Sequence, residues 1–441
     1  MASRLLAGGV LLASGLLAWL AISYTSVARL LQYIIALSMV YVGYLGWHGL
    51  RTIRRALDDA RSGGGIPTGM AGDLPWVTVV IPAANEASVI EQVVGDLRAQ
   101  AYHAGGEPRF DVVVVDDDSS DGTAELVRRV PAERPAVRVV RREAGSAPRT
   151  KGAALAHAQA FVRGEVVAVL DADARVEADF LERSMRAWAR DTTAAALQVQ
   201  RRELNQSVSW LAGAQAEEQL MDLASQCGRW ATDGTAELRG NGMFVRRAAL
   251  ERAGGWNPLA LTEDLDLSTR LVAQGDHVTL APEASVGEEA VGSLGALWRQ
   301  RLRWAEGSLR RLMEHGPPLV ASSLPIGRKV DFLAFVGEFV IPPLFVTTVV
   351  AGLVTIPLPR PADWTVPVSL FAGYGIGTFL LALAGLAGDG VRGWTLLGRA
   401  TRGSLFLSHW LLVVPAALLI ITFGRRTTRF AKTLRSGSMD R

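Results

Sequence analysis

The 441-residue sequence predicts a doubly wound α/β domain combined with α-helical transmembrane segments at both ends of the chain. Three observations predict it. Apolar residues make up 49% of the chain, and the excess is concentrated near the two termini, while residues 73–292 have an ordinary globular makeup. Within that centre, buried-type apolar strands alternate with polar turns and amphipathic helices, the succession of a mostly parallel sheet. Three of those strands run out into acidic or polar clusters, at the strand ends where open α/β sheets bind ligands.

The amino-terminal end comes first. Residues 5–23 and 30–50 are two apolar runs, each near the roughly 20 residues that span a bilayer. A transmembrane hairpin over residues 1–50 follows, turning near 24–29. Arg51, Arg54 and Arg55 come directly after it and place the next segment in the cytoplasm. Residues 51–74, with Ser62-Gly63-Gly64-Gly65, read as a basic, glycine-rich linker.

The first strand is expected over Val77–Ile81 and to stop at Pro82, with Asn85, Glu86 and Ser88 starting a helix that buries Val89, Ile90, Val93, Val94 and Leu97. A second strand, Asp111–Val115, leads into Asp116, Asp117 and Asp118, then a turn over Ser119–Thr123. A third apolar run, Val166 to Leu170, ends in Asp171-Ala172-Asp173. In an extended chain Asp171 and Asp173 share a face, with Ala172 opposite. Paired carboxylates suit a hard divalent cation that also takes phosphate oxygens. The plainer reading is a solvated turn. No GxGxxG follows the first strand and no GxxxxGK[ST] occurs, so phosphate must be met otherwise. Lys151-Gly152, at a helix start, is a candidate.

Further along, Thr262 is expected to cap a helix burying Leu265, Leu267 and Leu271, with Glu263, Asp264 and Asp266 in its acidic first turn. The two glycines of Arg239-Gly240-Asn241-Gly242-Met243 permit a tight turn or a close approach. Residues 293–315 form a strongly amphipathic helix with a stripe of Leu294, Leu297, Trp298, Leu302, Leu309 and Leu312. Arg299, Arg301, Arg310 and Arg311 supply its charge, so it is expected at the lipid headgroup level, within an interfacial region at 293–330. Gln300, Arg303 and Trp304 lie at i, i+3 and i+4, on one face.

Residues 331–424 hold apolar runs at 331–357, 366–388 and 403–423. Pro342-Pro343 interrupts the first, which also carries Glu338, an acid that is either functional within the membrane or interfacial. Three full crossings would export the basic tail at 425–441, with Arg425, Arg426, Arg429, Lys432 and Arg435, against the positive-inside rule. One run is therefore expected to be re-entrant, interfacial or bent into two short passes, and the segment with Arg392, Arg399 and Arg402 to be a cytoplasmic loop. A net charge of +3 leaves no nucleic-acid footprint. The single Cys227 excludes an internal disulfide and a cysteine-based zinc site, and the six histidines are scattered.

The pieces VIPAANE, VVDDDSSDGT, KGAALAHA, LDADA, ELRGNGMFVRR, TEDLDLSTRL and QRLRW stand in this order. In them the chain resembles family-2 glycosyltransferases of the GT-A (Rossmann-like) fold, over about residues 75–315, with the domain proper at 75–292. Its membrane-integral branch carries the Gln-x-x-Arg-Trp motif, here Gln300, Arg303 and Trp304. The wording from 236 to 312 is most similar to cyanobacterial-type glucosyltransferases that make monoglucosyldiacylglycerol, and to carotenoid glycosyltransferases.

The resemblance implies an inverting transfer of a hexose, glucose favoured, from a UDP-sugar to a membrane lipid such as diacylglycerol. It implies Mg2+ or Mn2+ on Asp171 and Asp173, and Asp264 as base with Glu263 beside it. Pro82, Glu86, Asp116, Asp117, Lys151, Asp171, Gln300, Arg303 and Trp304 would face the donor. Gly240, Asn241, Gly242 and Trp304 would border the acceptor. Asp118 replaces the more usual glycine of its turn. The implied place is a bacterial inner membrane with the catalytic domain cytosolic. A processive polysaccharide synthase of the poly-N-acetylglucosamine, cellulose or hyaluronan type shares these motifs and is the alternative. A non-catalytic membrane scaffold of the same fold is a weaker one. An oligomer or accessory subunit is compatible with either enzyme.

Overall fold

The structure is a computed structural model that describes residues 2–62, 74–130, 135–143, 145–357 and 365–424. The glycines at 63–65 and the basic tail at 425–441 lie outside the described residues. The chain opens with two apolar helices, α1 (Ala2–Ser23) and α2 (Thr25–Arg61), broken only at Tyr24. α2 does not stop at residue 50. It carries Arg51, Arg54 and Arg55 on the same helix to Arg61, because RTIRRALDDAR contains no breaker and buries Ile53 and Ala56.

The central domain follows as β1 (Val77–Ala83), α3 (Ile90–Arg98), a small hairpin β2 (His103–Ala104) and β3 (Glu107–Pro108), β4 (Phe110–Asp116), α4 (Thr123–Arg128) and β5 (Val137–Arg141). Next come α5 (Lys151–Ala158), β6 (Val166–Val169), α6 (Phe180–Ala189), β7 (Ala196–Glu203), α7 (Trp210–Ala231), β8 (Met243–Arg246), α8 (Arg247–Arg252), α9 (Glu263–Ala273) and β9 (Val278–Glu288). Among the described residues the main sheet has seven strands in the order β5-β4-β1-β6-β8-β7-β9. β5, β4, β1 and β6 are parallel; β8 runs antiparallel between β6 and β7; β7 and β9 are parallel. β4 and β6 are buried along their whole length, as parallel strands covered on both faces must be. Separate cores fill the two faces, one under α3 and α6, the other under α5, α8 and α9.

Two local expectations are corrected. Pro82 does not end β1; it pairs in register with Val115. Its pairing with β6 has already ended at Val80–Val169, so the missing N–H faces no partner strand. The helix expected at Asn85–Ser88 begins only at Ile90, because Asn85 takes a left-handed backbone (φ 57°) and the segment makes turns first.

The carboxyl-terminal part holds α10 (Leu294–Ala321), α11 (Ile326–Gly337), α12 (Ile341–Thr355), α13 (Thr365–Gly388), α14 (Gly393–Leu407) and α15 (Trp410–Phe423). Five helical stretches among the described residues are long and apolar enough to cross a membrane: Ser3–Ser23, Thr25–Arg61, Ile326–Thr355, Thr365–Gly388 and Gly393–Phe423. Two of them are broken. α11 stops three residues before α12, whose first turn holds Pro342 and Pro343, residues that tolerate a helix start and disrupt a helix interior. The other break falls at Ser408–His409. Arg399 and Arg402 are not in a loop: they sit on α14 and both pair with the buried Glu217 of α7.

Contacts fix the directions. α13 runs parallel to α2, with Gln32 bonded to Ser369 at one end and Gly388 against Ile53 at the other. The α14–α15 pair starts beside α7 and ends beside the first turn of α1, where Arg4 donates to the Gly424 carbonyl at 2.7 Å. That turn is the end of the α1–α2 hairpin remote from Tyr24, so both ends of the pair lie on the α7 side.

α7 is held to the membrane helices by backbone approach. A Cβ on Gly49 would stand 2.0 Å from the Ala224 carbonyl oxygen, and one on Gly228 would stand 2.2 Å from that of Leu45. Gly49→Val or Gly228→Val is therefore expected to wedge α2 from α7. The cost should be about 1–3 kcal/mol or more, seen as a lowered thermal midpoint in detergent. Gly95→Ala, whose Cβ meets nothing within 4 Å, should leave the midpoint in place.

Candidate functional site

The ends of β1, β4 and β6 meet at one rim, and two of the turns there brace each other. The Asn85 amide donates to Ser119 Oγ (2.9 Å), the Ser120 amide donates to Asn85 Oδ1 (2.9 Å), and the Glu86 amide donates to Thr123 Oγ1 (2.9 Å). Asp116 is fully buried, accepts from the Ser119 amide at 3.1 Å and lies 3.2 Å from Arg141 Nε. Asp117 faces the adjoining cavity and pairs with Arg142 at 2.6 Å. Burial pushes its carboxyl up, against the pull of Arg142 and Arg149. Asp118 has φ 58° and pairs with Arg149. A short polar side chain can stand in the left-handed region that glycine would otherwise fill.

β6 ends at Val169, and the acidic motif lies in a turn beyond it, closed by the Ala174 amide on the Asp171 carbonyl at 3.0 Å. The extended-strand argument for a common face therefore does not apply. Both carboxylates nevertheless line the cavity, together with Pro82 and Glu86. Lys151 is the first residue of α5, whose cap is Thr150 Oγ1 on the Ala153 amide at 3.0 Å. Its ammonium reaches Asp171 Oδ1 (2.6 Å), the Gly240 carbonyl (2.8 Å) and Glu263 Oε1 (3.5 Å). Burial opposes its charge, yet the Asp171 and Glu263 carboxylates hold its pKa above the ordinary lysine value.

Glu263 and Asp264 open α9 on the same cavity. Burial pushes both carboxyls up; Lys151 pulls the other way on each, and the Asp264 charge raises Glu263 further. Thr262 does not cap the helix with its side chain; it packs on α10, where a Cβ at Gly307 would come within 2.5 Å of its Cγ2. Asp266 is committed elsewhere, to His315 (2.9 Å), Arg270 (2.7 Å) and Asn257 (3.0 Å).

The 239–243 loop is shaped by its glycines. Gly240 (φ 80°) would place a Cβ 3.1 Å from Asp264 Oδ2, and Gly242 (φ 68°) would place one 2.4 Å from Val199 Cγ2. Between them the buried Asn241 accepts from the Asp171 amide (3.1 Å) and donates to Glu288 Oε2 (3.2 Å).

α10 does not turn all of its arginines outward. Arg301 and Arg311 are buried and paired with Glu218 and Glu237, while α10 itself packs between α9 and α15. Leu294, Trp298 and Arg299 at its start stay exposed. Gln300, Arg303 and Trp304 do share the cavity face. The Arg301 guanidinium lies 4.1 Å from the Trp304 ring centre, and burial draws the Arg303 pKa below its ordinary value against the fields of Glu263 and Asp171.

Sequence reasoning missed α7 and the strand pair beside it. Arg201, Glu203, Glu218, Asp222 and Glu288 all line the cavity. The available signal was a helix with acids at 217, 218 and 222 in an otherwise small, apolar sequence. The cavity encloses about 1350 Å³ and runs without interruption from the rim to the space between α2, α12 and α13. Among the described residues no three His, Cys, Asp or Glu side chains form a ready cation cage. Asp171 and Asp173 are nevertheless hard oxygen donors, and Mg2+ characteristically takes one or two carboxylates plus phosphate oxygens and water. The residues fit such an ion.

A mixed sheet with an acidic rim beneath apolar helices defines a glycosyltransferase of the GT-A fold. The chain belongs to glycosyltransferase like family 2, which it matches over residues 75–307. It is 32% identical over 407 residues to a beta-monoglucosyldiacylglycerol synthase of Synechocystis sp., covering 90% of this chain and 82% of that protein. It is 26% identical over 284 residues to a poly-beta-1,6-N-acetyl-D-glucosamine synthase of Staphylococcus aureus, covering 63% of this chain and 64% of that one. The mannosyltransferase PcManGT of Pyrobaculum calidifontis, solved with GDP-Man and Mn2+, is similar in fold, with a TM-score of 0.60 at 21% identity over 90% of this chain and 99% of that one.

Arg301 is buried, and removing it should leave the half-buried Glu218 without its counter-ion. Arg301→Met is expected to destabilise the protein by about 3–5 kcal/mol, and Arg299→Ala, on the exposed face, by no more than about 0.5 kcal/mol. Thermal unfolding of the two variants checks this.

Proposed function

We propose that the chain moves a hexose, glucose, from a UDP-sugar to the hydroxyl of a membrane lipid of the diacylglycerol class, with inversion at the sugar C1. One observation carries the lipid part. The cavity holding Asp171, Asp173, Glu263, Asp264 and Trp304 continues between walls of Leu31, Ile35 and Val42 on α2, Leu344 on α12, and Leu370 and Leu381 on α13. An acyl chain can lie in the apolar part while the attached hydroxyl enters the polar part. The similarity to beta-monoglucosyldiacylglycerol synthases over most of the chain supports the same reading.

In this reading the C1–diphosphate bond breaks as the acceptor oxygen bonds C1 from the opposite side, and Asp264 takes the hydroxyl proton. Lys151, bonded to Asp171 and close to Glu263, ties the Asp171 turn to the first turn of α9, which carries Asp264. Arg303 meets the departing diphosphate with its planar fork of donors. Asp171 and Asp173 would hold Mg2+ or Mn2+, which supplies positive charge to the same leaving group. Asp117, Pro82 and Glu86 border the nucleoside end, and Gly240 and Asn241 the acceptor end, while Gly242 packs against Val199 and Val286 and only shapes the loop. Trp304 closes the site from the membrane side. In the same reading the sheet domain lies in the cytosol, with α1, α2, the α11–α12 run and α13 crossing the bilayer and α14–α15 re-entrant.

Purified protein in lipid, given labelled UDP-glucose, should yield a chloroform-soluble hexosyl lipid. A long water-soluble polymer instead would assign it to the processive synthases. Asp264→Asn is expected to lower turnover about 10²–10⁴-fold with UDP binding kept. EDTA should abolish turnover, and Mn2+ or Mg2+ should restore it.

A further inference from the structure

Glu338 is one of the cavity acids that the chemistry above does not use. Glu338 stands in the break between α11 and α12 and lines the cavity where its polar and apolar parts meet. Around it lies a cluster of charges that closes on itself. Arg229 pairs with Asp331 at 3.1 Å, Arg239 with Asp222 at 2.8 Å, and Arg311 with Glu237. The nearby phenols are also committed, Tyr41 to Asp331 at 2.8 Å and Tyr374 to the Leu407 carbonyl at 2.9 Å. Arg229, Arg239, Asp222 and Glu237 are the charges whose fields reach Glu338. Its own carboxylate has no ion pair or side-chain hydrogen bond among the described residues. The cluster matches cation to anion one for one, so Glu338 in its carboxylate form leaves it one negative charge over.

An acid within a membrane helix run is costly to keep and marks a functional position. A surplus negative charge beside a substrate path discriminates by sign. It leaves a neutral headgroup alone and opposes an anionic one, because like charges brought close together repel. The choice matters in a bilayer. Phosphatidylglycerol also offers free hydroxyls, on a headgroup that carries a phosphate charge, and is a chemically competent wrong acceptor.

We infer that Glu338 is a specificity-determining residue that bars anionic phospholipids from the acceptor path and admits neutral lipids with a free hydroxyl. The inference rests on the lipid-acceptor reading above. It assigns Glu338 no part in bond making, so its signature is the ratio of products and not the rate.

The test uses full-length protein in vesicles containing both diacylglycerol and phosphatidylglycerol, with labelled UDP-glucose and the two glucosylated lipids resolved by mass spectrometry. A product ratio within one sample does not depend on how much enzyme is folded. The wild type should label diacylglycerol almost alone. Glu338→Gln should raise the phosphatidylglycerol share on the order of tenfold, Glu338→Lys should raise it further, and Glu338→Asp should keep the wild-type ratio. Equal ratios in the wild type and in the Gln and Lys variants would overturn the inference while leaving the lipid acceptor standing. A wild type that labels neither lipid would overturn the lipid-acceptor reading itself, and this inference with it.

Discussion

The charges that α7 carries to the boundary between the sheet and the apolar helices are each met by an opposite charge from another element. Glu217 takes Arg399 and Arg402 of α14, Glu218 takes Arg301 of α10, Asp222 takes Arg239 of the glycine loop, and Arg229 takes Asp331 of α11. An unpaired charge at such a boundary would be strongly destabilising, whereas a paired one fixes geometry. The pairs are therefore the constraint that aligns two halves built on different rules. One half is a water-facing sheet with a polar rim. The other is a set of apolar helices in contact with α7 through glycines.

That seam reaches the site along two chains of contact. Arg239, held by Asp222, begins the loop whose Asn241 bonds both the Asp171 amide and Glu288. Arg301, held by Glu218, lies over Trp304. Lys151 then ties three segments together through Asp171, the Gly240 carbonyl and Glu263. The rim acids are thus positioned from below by the sheet and from the membrane side by α7, and neither support alone locates Asp264 relative to Asp171.

Much of this was legible in the residues. Strand-type runs ending in acids foretold a common rim, and the carboxyl ends of β1, β4 and β6 do lie side by side on one sheet edge, with β6 stopping at Val169 opposite Val80 while β1 and β4 run on to Ala83 and Asp116. The buried face of α3 is the one its spacing announced, with Ile90, Val93, Val94 and Leu97 enclosed. Periodicity also put Gln300, Arg303 and Trp304 on one face. It could not tell a face against lipid from a face against protein, so the arginines of α10 read as interfacial although Arg301 and Arg311 are buried. The same blindness hid α7, because a helix rich in small residues and acids looks like a solvated one until its counter-ions arrive from residues up to 185 positions away. Pro82 misled for a smaller reason: a missing N–H ends a strand only where a neighbour needs it, and here β6 has already stopped.

The continuity of rim and groove follows from what an acyl chain costs to expose. Moving one methylene from hydrocarbon into water costs about 0.8 kcal/mol, so a lipid with two long chains does not leave the bilayer to be modified. Under the proposed function the reacting carboxylate would have to be brought to the hydrocarbon edge instead. Three glycines make that approach in this chain: Gly49, Gly228 and Gly385 each bring a helix backbone against another, so that α7 lies directly on α2 and α13. Larger residues there would lift the rim from the membrane helices and divide the cavity into a nucleotide site and an empty cleft. Under the proposed function the small residues of α2, α7 and α13 would serve the transfer as directly as Asp264, since they would set the distance across which an immobile base meets a membrane-bound hydroxyl.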